Sequence, residues 1–180
     1  MNASPLAFAT SAARSRVALD DGRQGVDFER LDELVEEEAD WLVANGERFA
    51  LLADNGLGWA IADLALHREM LPSVPLPGFF TPGQIRHALD DAGIDGLLTD
   101  DPSRVRDLLP GWRTAGVSGR TGLALFRRQL DASTRPSLPP GTAKVTYTSG
   151  STGAPKGVCL GAAQLDAIAR SLARATDSLG

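Results

Sequence analysis

A short run of hydroxyl-bearing and glycine residues carries the clearest chemical signal in this sequence. It extends from Thr148 to Ala154 and is followed by Pro155, Lys156 and Gly157. Glycines let the main chain adopt positive φ angles and approach a ligand closely, and successive N–H groups in such a loop converge on an anion. Hydroxyl groups add donors, and a lysine adds a positive charge on a long stem. The stretch therefore has the chemistry needed to wrap a polyphosphate.

Seven residues of this stretch are candidates for contact with the phosphate oxygens of ATP. They are Thr148, Ser149, Gly150, Ser151, Thr152, Gly153 and Lys156. Upstream, apolar Val145 and Tyr147 alternate with polar residues, which predicts a strand that ends where the loop begins. A flexible surface linker is the alternative interpretation, because serine and glycine also dominate linkers.

The order of residues in the loop excludes two other phosphate-binding loops. A Walker A loop requires Gly-Lys-Ser/Thr, but Pro155 precedes Lys156 here and Gly157 follows it, and the stretch contains no GxGxxG pattern. Residues 147–158, Tyr-Thr-Ser-Gly-Ser-Thr-Gly-Ala-Pro-Lys-Gly-Val, instead resemble the phosphate-binding signature of the adenylate-forming superfamily. That superfamily includes acyl- and aryl-CoA synthetases, adenylation domains of nonribosomal peptide synthesis, and luciferases.

This resemblance implies an ATP-dependent carboxylic acid ligase. In the superfamily a carboxylate attacks the α-phosphorus of ATP to give an acyl-adenylate and pyrophosphate. Transfer to CoA, or to the phosphopantetheine of an acyl carrier protein, commonly follows. The implied cofactors are ATP and Mg²⁺, and the implied substrate is a carboxylic acid. The seven loop residues would stabilise charge on the departing pyrophosphate, and no acid–base catalytic residue is expected in this chain.

Composition and charge narrow the class of protein. The 180 residues are 43% hydrophobic and 23% charged, which is ordinary for a soluble globular protein. The net charge of −5, without a basic block, argues against nucleic acid or an anionic membrane as the main partner. A single cysteine, Cys159, excludes an internal disulfide and a cysteine-built metal site. With neither a secretory leader nor an apolar run of about 20 residues, we expect a cytoplasmic protein.

The predicted elements alternate as in an α/β protein with a largely parallel sheet flanked by helices. Residues 17–28 predict a strand, a turn and a re-entering chain, and Asp27 is the predicted N-cap of the following helix. The acidic residues 36–38 of that helix are predicted to face solvent. The continuous apolar run 49–53 predicts a buried parallel strand, and residues 74–77, with two prolines, predict a short or edge strand.

The alternation continues along the rest of the chain. Thr81 and Gln84 predict a capping box around Pro82, residues 95–99 predict a strand, and Asp101 opens a short helix. Weaker strands are predicted over 112–117 and 123–126, and a last helix over 165–172. The Val-Pro-Leu segment at 74–76, the Thr-Pro-x-x-Ile helix at 81–85 and the Thr-Asp strand end at 99–100 follow the order of adenylate-forming enzymes. The resemblance therefore covers nearly the whole chain.

The sequence also suggests how the chain is divided. Residues 1–16 are small and polar and are expected to fray. Residues 17–180 are expected to form an incomplete N-terminal α/β domain that ends just after the loop and its following helix. Superfamily members continue for several hundred residues, so we expect a fragment that is inactive alone and works with the missing C-terminal portion. The alternative is a non-catalytic remnant or interaction module that retains the nucleotide-binding fold.

Other reactive side chains are assigned structural roles. His67 and His87 lie in predicted helices without nearby cysteines, which favours packing over metal binding. Cys159 has no evident base, so it is predicted to be a small core residue. The aspartate pairs at 90–91 and 100–101 flank a helix end and a turn, where solvated or capping roles are expected.

Overall fold

The computed structural model describes residues 15–148 and 155–177; most of the segment predicted to fray therefore lies outside it. The strands in these ranges are β1 (Val17–Asp20), β2 (Gly25–Asp27), β3 (Phe49–Leu52), β4 (Ser73–Pro75), β5 (Gly96–Thr99), β6 (Arg113–Val117), β7 (Ala124–Arg127), β8 (Thr142–Thr148) and β9 (Lys156–Gly161). The helices are α1 (Phe28–Asn45), α2 (Leu57–Arg68), α3 (Pro82–Asp91), α4 (Pro102–Leu108) and α5 (Ala162–Asp177). None of these helices is long and apolar enough to cross a membrane.

The large sheet has a parallel centre and antiparallel edges. Its strand order is β6-β7-β5-β3-β4-β8-β9, and the four strands from β5 to β8 in that order are parallel. The β7 strand pairs antiparallel with both β5 and β6, and β9 pairs antiparallel with β8. The predicted α/β fold is confirmed, while the sequence analysis did not anticipate the antiparallel edge strands.

The position of β4 decides between the two predicted alternatives, a short strand or an edge strand. Its prolines keep it short, as expected, but it lies between β3 and β8 and is not an edge strand. Pro75 is tolerated there because only Ser73 is in register with β8, at Lys144. A proline at the last position of the strand therefore removes no hydrogen bond from that ladder.

Two apolar layers cover the two faces of the sheet. Along β3, Phe49 and Leu51 join the cluster beneath α1 and α2, whereas Ala50 and Leu52 join the cluster beneath α3. This alternation follows from the two-residue period of a strand. It also explains why the strand is apolar without a break, since both of its faces are buried.

The predicted helix caps are confirmed. The Asp27 carboxylate accepts a hydrogen bond from the N–H group of Arg30 at 2.8 Å. Thr81 and Gln84 cap each other reciprocally at the start of α3. The Asp101 carboxylate accepts from the N–H group of Arg104 at the start of α4. These caps fix the first residue of each helix.

Glu38 is the clearest departure from the sequence analysis. It was expected on a solvated face with residues 36 and 37, yet it is fully buried, whereas those two neighbours are exposed. Its carboxylate accepts hydrogen bonds from the hydroxyl groups of Ser118 and Thr121, in the turn between β6 and β7. Burial raises the pKa of Glu38, although these hydroxyl groups oppose the shift. The prediction failed because the turn that covers Glu38 is 80 residues away in sequence.

Candidate functional site

The carboxyl ends of the parallel strands define one edge of the sheet. The turn at 53–55 follows β3, residues 76–79 follow β4, Asp100 follows β5, and Thr148 ends β8. The Asp100 carboxylate accepts from the N–H group of Asp54 at 2.8 Å, which joins the first and third of these turns. Ligands of open α/β sheets bind outside the carboxyl ends of the strands. This edge is therefore the candidate site.

A cavity of about 450 Å³ opens at the carboxyl edge. The turns after β3 and β4 form part of its wall, and Thr146 and Tyr147 of β8 form another part. Two aromatic residues also line it: Trp59, at the start of α2, and Phe79, which is 80% exposed. Since Thr148 follows Tyr147 directly, the predicted phosphate-binding loop leaves β8 at the wall of this cavity.

The two ends of the predicted loop lie side by side. Thr148 ends β8, Lys156 begins β9, and the two are directly paired in the antiparallel ladder. Paired residues point to the same face of a hairpin, and both of these are exposed. The structure thus places the hydroxyl group of Thr148 and the ammonium group of Lys156 at the mouth of one loop. The remaining candidates lie outside the described residues: Ser149, Gly150, Ser151, Thr152 and Gly153.

The rung below the loop is tightly packed. The Tyr147 hydroxyl group donates to the Asp91 carboxylate at 2.7 Å. Gly157 pairs with Tyr147 across the ladder, and a Cβ atom at Gly157 would lie 3.0 Å from the tyrosine ring. Burial, together with the hydrogen bond to Asp91, raises the pKa of Tyr147. The side chain therefore stays a neutral donor, and Gly157 supplies the space that its ring needs.

A histidine of α3 reaches the other end of the loop. The Nε2 atom of His87 lies 2.9 Å from the carbonyl oxygen of Pro155. Its ring stands edge-on to Tyr147, with 6.3 Å between the ring centroids and 80° between the ring planes. The sequence analysis predicted a packing role for His87 and no contact with the loop. The one available signal was the spacing of His87 and Asp91, because residues four apart share a helix face.

A larger cavity, of about 590 Å³, lies between α2 and α5. Several of its polar side chains are paired with one another. The ammonium group of Lys144 lies 2.7 Å from both carboxylate oxygens of Asp63, and Nε2 of His67 lies 3.3 Å from the Asp166 carboxylate. Since Lys144 is near the start of β8, this cavity is removed from the loop. We place the candidate site at the smaller cavity, because the predicted phosphate-binding residues begin there.

Within the ranges that the structure describes, no group of three or more His, Cys, Asp or Glu side chains could hold a metal ion. Among the described residues, the two ends of the loop carry the hydroxyl group of Thr148 and the ammonium group of Lys156. Both donate hydrogen bonds to phosphate oxygens. This donor set suits the phosphates of a nucleotide.

A family model described as AMP-binding enzyme matches residues 7–179 of the chain. A 4-hydroxyphenylalkanoate adenylyltransferase from Mycobacterium marinum is 34% identical over an alignment of 143 residues that covers 73% of this chain and 22% of that protein. These findings confirm the resemblance that the signature string suggested.

Solved structures of similar fold are larger enzymes. The o-succinylbenzoate CoA synthetase of Bacillus subtilis, in complex with the acyl-adenylate OSB-AMP, has a TM-score of 0.54 and 26% identity. The match covers 82% of this chain and 38% of that one. A malonyl-CoA ligase with methylmalonyl-CoA and AMP bound has a TM-score of 0.65 and 23% identity, over 89% of this chain and 33% of that one. The chain thus spans between a fifth and two fifths of the length of these proteins.

Proposed function

Since the chain belongs to the AMP-binding family of adenylate-forming enzymes, we propose that it supplies the pyrophosphate-binding part of an ATP-dependent carboxylic acid ligase. One observation carries the proposal. Thr148 and Lys156 are paired on one rung at the carboxyl edge of the parallel strands, at the mouth of a loop of hydroxyl-bearing and glycine residues. Ligands of such sheets bind at this edge, and these residue types suit phosphate oxygens.

In the proposed reaction the substrate carboxylate attacks the α-phosphorus of ATP. A new carboxyl oxygen–phosphorus bond forms, the bond to the β-phosphate oxygen breaks, and pyrophosphate leaves. Negative charge gathers on the leaving group, and fixed donors that meet it there lower the barrier. Lys156 supplies a positive charge, Thr148 a hydroxyl donor, and the loop between them main-chain N–H groups and further hydroxyls. None of these groups takes a proton from the substrate.

Mg²⁺ is proposed to accompany ATP and to be held mainly by its phosphates. Magnesium in nucleotide sites commonly uses phosphate oxygens together with one or two carboxylates and water. When bound, it would neutralise part of the phosphate charge. The chain's own contribution is to orient the β- and γ-phosphates with Thr148 and Lys156, so that the bond to be broken faces the incoming carboxylate.

An acid with an aromatic ring is the first substrate class to test. Two similar proteins are named for such acids, the 4-hydroxyphenylalkanoate adenylyltransferase and the o-succinylbenzoate CoA synthetase. For the second step we propose transfer to CoA or to a carrier-protein phosphopantetheine; one of the two similar proteins is named as a CoA synthetase.

Hydroxylamine trapping tests the proposed function. The enzyme that carries this chain is incubated with ATP, Mg²⁺, hydroxylamine and a panel of aryl, arylalkyl and alkyl acids, and the hydroxamate is measured. We expect ATP-dependent hydroxamate from at least one acid, with aromatic acids preferred. If ATP binds but no acid gives product, the chain is a nucleotide-binding module without ligase activity, and the proposal is wrong.

The 180-residue chain assayed alone is the companion experiment. We propose that it gives no turnover, because the matched segment is only 33–38% of the two solved enzymes. Misplacing reacting groups by about 1 Å can cost about 100-fold in rate. A chain that supplies only one wall of the site should therefore have almost no activity. Robust hydroxamate formation by residues 1–180 would contradict this part of the proposal.

A further inference from the structure

Two side chains on one face of α3 contact the chain on both sides of the loop. Asp91 accepts the hydrogen bond of Tyr147, which precedes the loop. His87, one turn earlier on the helix, contacts the carbonyl oxygen of Pro155, which follows the loop. Residues four apart on a helix lie one above the other. One face of α3 thus contacts the residue before the loop, which we call its entry, and the residue after it, which we call its exit. The loop itself begins 57 residues after Asp91.

In the hydrogen bond between His87 and Pro155, His87 is the donor. A carbonyl oxygen only accepts hydrogen bonds, so the Nε2 atom of His87 must carry the proton and donate it. Pro155 is buried, and a buried carbonyl group without a donor is costly. His87 therefore supplies the hydrogen-bond donor that the carbonyl group of Pro155 needs, just before the chain re-enters the sheet at β9.

The α3 helix, which carries these two side chains, is held in place by its N-terminal cap and by its buried face. Its N-terminus is closed by the capping box of Thr81 and Gln84. Ile85, Ala88 and Leu89 are at most 1% exposed and pack in the core. Since α3 is anchored independently of the loop, it can act as a fixed support for it.

We propose that His87 is a positioning residue for the pyrophosphate-binding loop. It holds the exit of the loop at Pro155 while Asp91 holds the entry through Tyr147, and together they keep Thr148 and Lys156 on one rung. This inference rests on the proposed function. His87 itself does not contact phosphate; it acts through the main chain of Pro155, directly before Lys156.

Three substitutions of His87 separate its hydrogen bond from its bulk. His87→Gln places an amide Nε2 donor about where the imidazole Nε2 lies, so the bond to Pro155 can re-form. His87→Asn ends nearer the helix and cannot reach, and His87→Ala removes the group entirely. His67→Ala is the matched control, since His67 lies on α2 and contacts Asp166.

The first readout is ATP–pyrophosphate exchange by the enzyme that carries this chain. His87→Ala and His87→Asn are expected to raise the KM for ATP about threefold to tenfold, the range expected from losing one hydrogen bond. The KM for the carboxylic acid should not change, because the proposed role of the loop is to bind phosphate. His87→Gln should restore the KM for ATP, and His67→Ala should behave as wild type.

The second readout needs no activity. Trypsin cleaves after Lys156 only when the start of β9 opens, so the cleavage rate in the 180-residue chain without nucleotide reports how firmly this end of the loop is held. His87→Ala and His87→Asn should be cleaved about threefold to tenfold faster there. His87→Gln should match wild type. If His87→Ala does not fold, the comparison of His87→Gln with His87→Asn still tests whether the hydrogen bond to Pro155 holds the loop.

The outcomes distinguish the two proposals. If Lys156→Ala leaves exchange unchanged, the proposed function fails, while the tryptic rates still judge the role of His87. If Lys156→Ala abolishes exchange but His87→Ala and His87→Asn match wild type in both readouts, the positioning role is wrong. Equal loss in the glutamine and alanine variants would also overturn it, because the ring and not the hydrogen bond would then matter.

Discussion

The two ends of the parallel strands are built in opposite ways. At the amino end, Asp95 directly precedes β5 and is only 5% exposed. Its carboxylate accepts from the guanidinium groups of Arg127 at 2.8 Å and Arg135 at 2.6 Å, and from the N–H group of Arg48 at 2.8 Å. At the carboxyl end, Thr148 and Lys156 are exposed at the mouth of the loop. One end is closed by ion pairs around a buried carboxylate, and the other end leaves its donors exposed to solvent.

The arginines at the amino end also join segments that are distant in sequence. Arg128 donates to the carbonyl oxygens of Ile94 and Leu89, and Arg135 donates to that of Gly93. These bonds attach the segment between β7 and β8 to the last turns of α3 and to the connection between α3 and β5. We therefore assign stability to the amino end of the strands and the proposed phosphate contacts to the carboxyl end, and substitutions should separate the two.

Asp95→Ala should produce the largest loss of stability. It leaves the guanidinium group of Arg135, whose side chain is only 13% exposed, without its buried partner, and breaking such a pair costs up to about 3–5 kcal/mol in the free energy of unfolding. Urea unfolding followed by circular dichroism measures this. The KM for ATP, measured where the variant is folded, should not change.

Glu47→Ala is the matched control for Asp95→Ala. Its carboxylate pairs with the same Arg135, but its side chain is 77% exposed, so its loss should cost no more than about 1 kcal/mol. If Asp95→Ala is no more destabilising than Glu47→Ala, the amino end does not carry the stability assigned to it here.

Gly157→Ala should have an intermediate effect and act at the carboxyl end. The new Cβ atom would lie 3.0 Å from the Tyr147 ring, so the ring must move by a few tenths of an ångström, which strains its hydrogen bond to Asp91. Overpacking of this kind costs about 1–3 kcal/mol, and the KM for ATP should rise with it. Gly111→Ala is the control, because a Cβ atom there meets nothing within 4 Å. Identical unfolding and KM values for the two variants would contradict this packing.

Glu38 should give the smallest effect, visible as a dependence of stability on pH. Asp95 and Glu38 are both buried carboxylates, but arginines hold the first and hydroxyl groups the second. Burial raises the pKa of Glu38 above its ordinary value of 4.5, so the folded chain binds this proton more tightly than the unfolded chain does. The resulting stabilisation is present below pH 4.5 and is lost as pH rises through the raised pKa.

The measurement compares Glu38→Gln with wild type by urea unfolding at a series of pH values from 4 upward. The free energy of unfolding of wild type should fall relative to the variant as pH rises above the ordinary glutamate pKa. Glu37→Gln, which changes an exposed neighbour paired with Arg120, is the control for replacing a carboxylate on the same helix. Parallel curves for Glu38→Gln and wild type would mean that the burial of Glu38 does not affect its titration.

Sequence alone predicted the features that depend on local signals. The capping residues Asp27, Thr81 and Asp101 act within three residues of themselves, and the apolar run of β3 reports burial on both faces. For the site, the strand that ends where the loop begins was predicted, and Thr148 ends that strand; the contact of Thr148 and Lys156 with phosphate stays a prediction.

Features that depend on distant partners could not be predicted from one sequence. Glu38 looked solvated because its partners Ser118 and Thr121 are about 80 residues away. His87 looked like a packing residue because Pro155 is 68 residues away. The interior position of β4 depends on which strands flank it, and helix or strand periodicity does not contain that information.

The two lysines of the chain provide the most direct test, because they lie on one hairpin with opposite assignments. Lys144 is paired with Asp63, whereas Lys156 is exposed at the loop. The measurement is ATP–pyrophosphate exchange by Lys156→Ala and Lys144→Ala, each with its free energy of unfolding. Lys156→Ala should lose about 100-fold to 1000-fold in exchange rate with unchanged stability, while Lys144→Ala should lose stability and keep the KM for ATP. Unchanged exchange in Lys156→Ala would contradict the assignment of this loop to pyrophosphate.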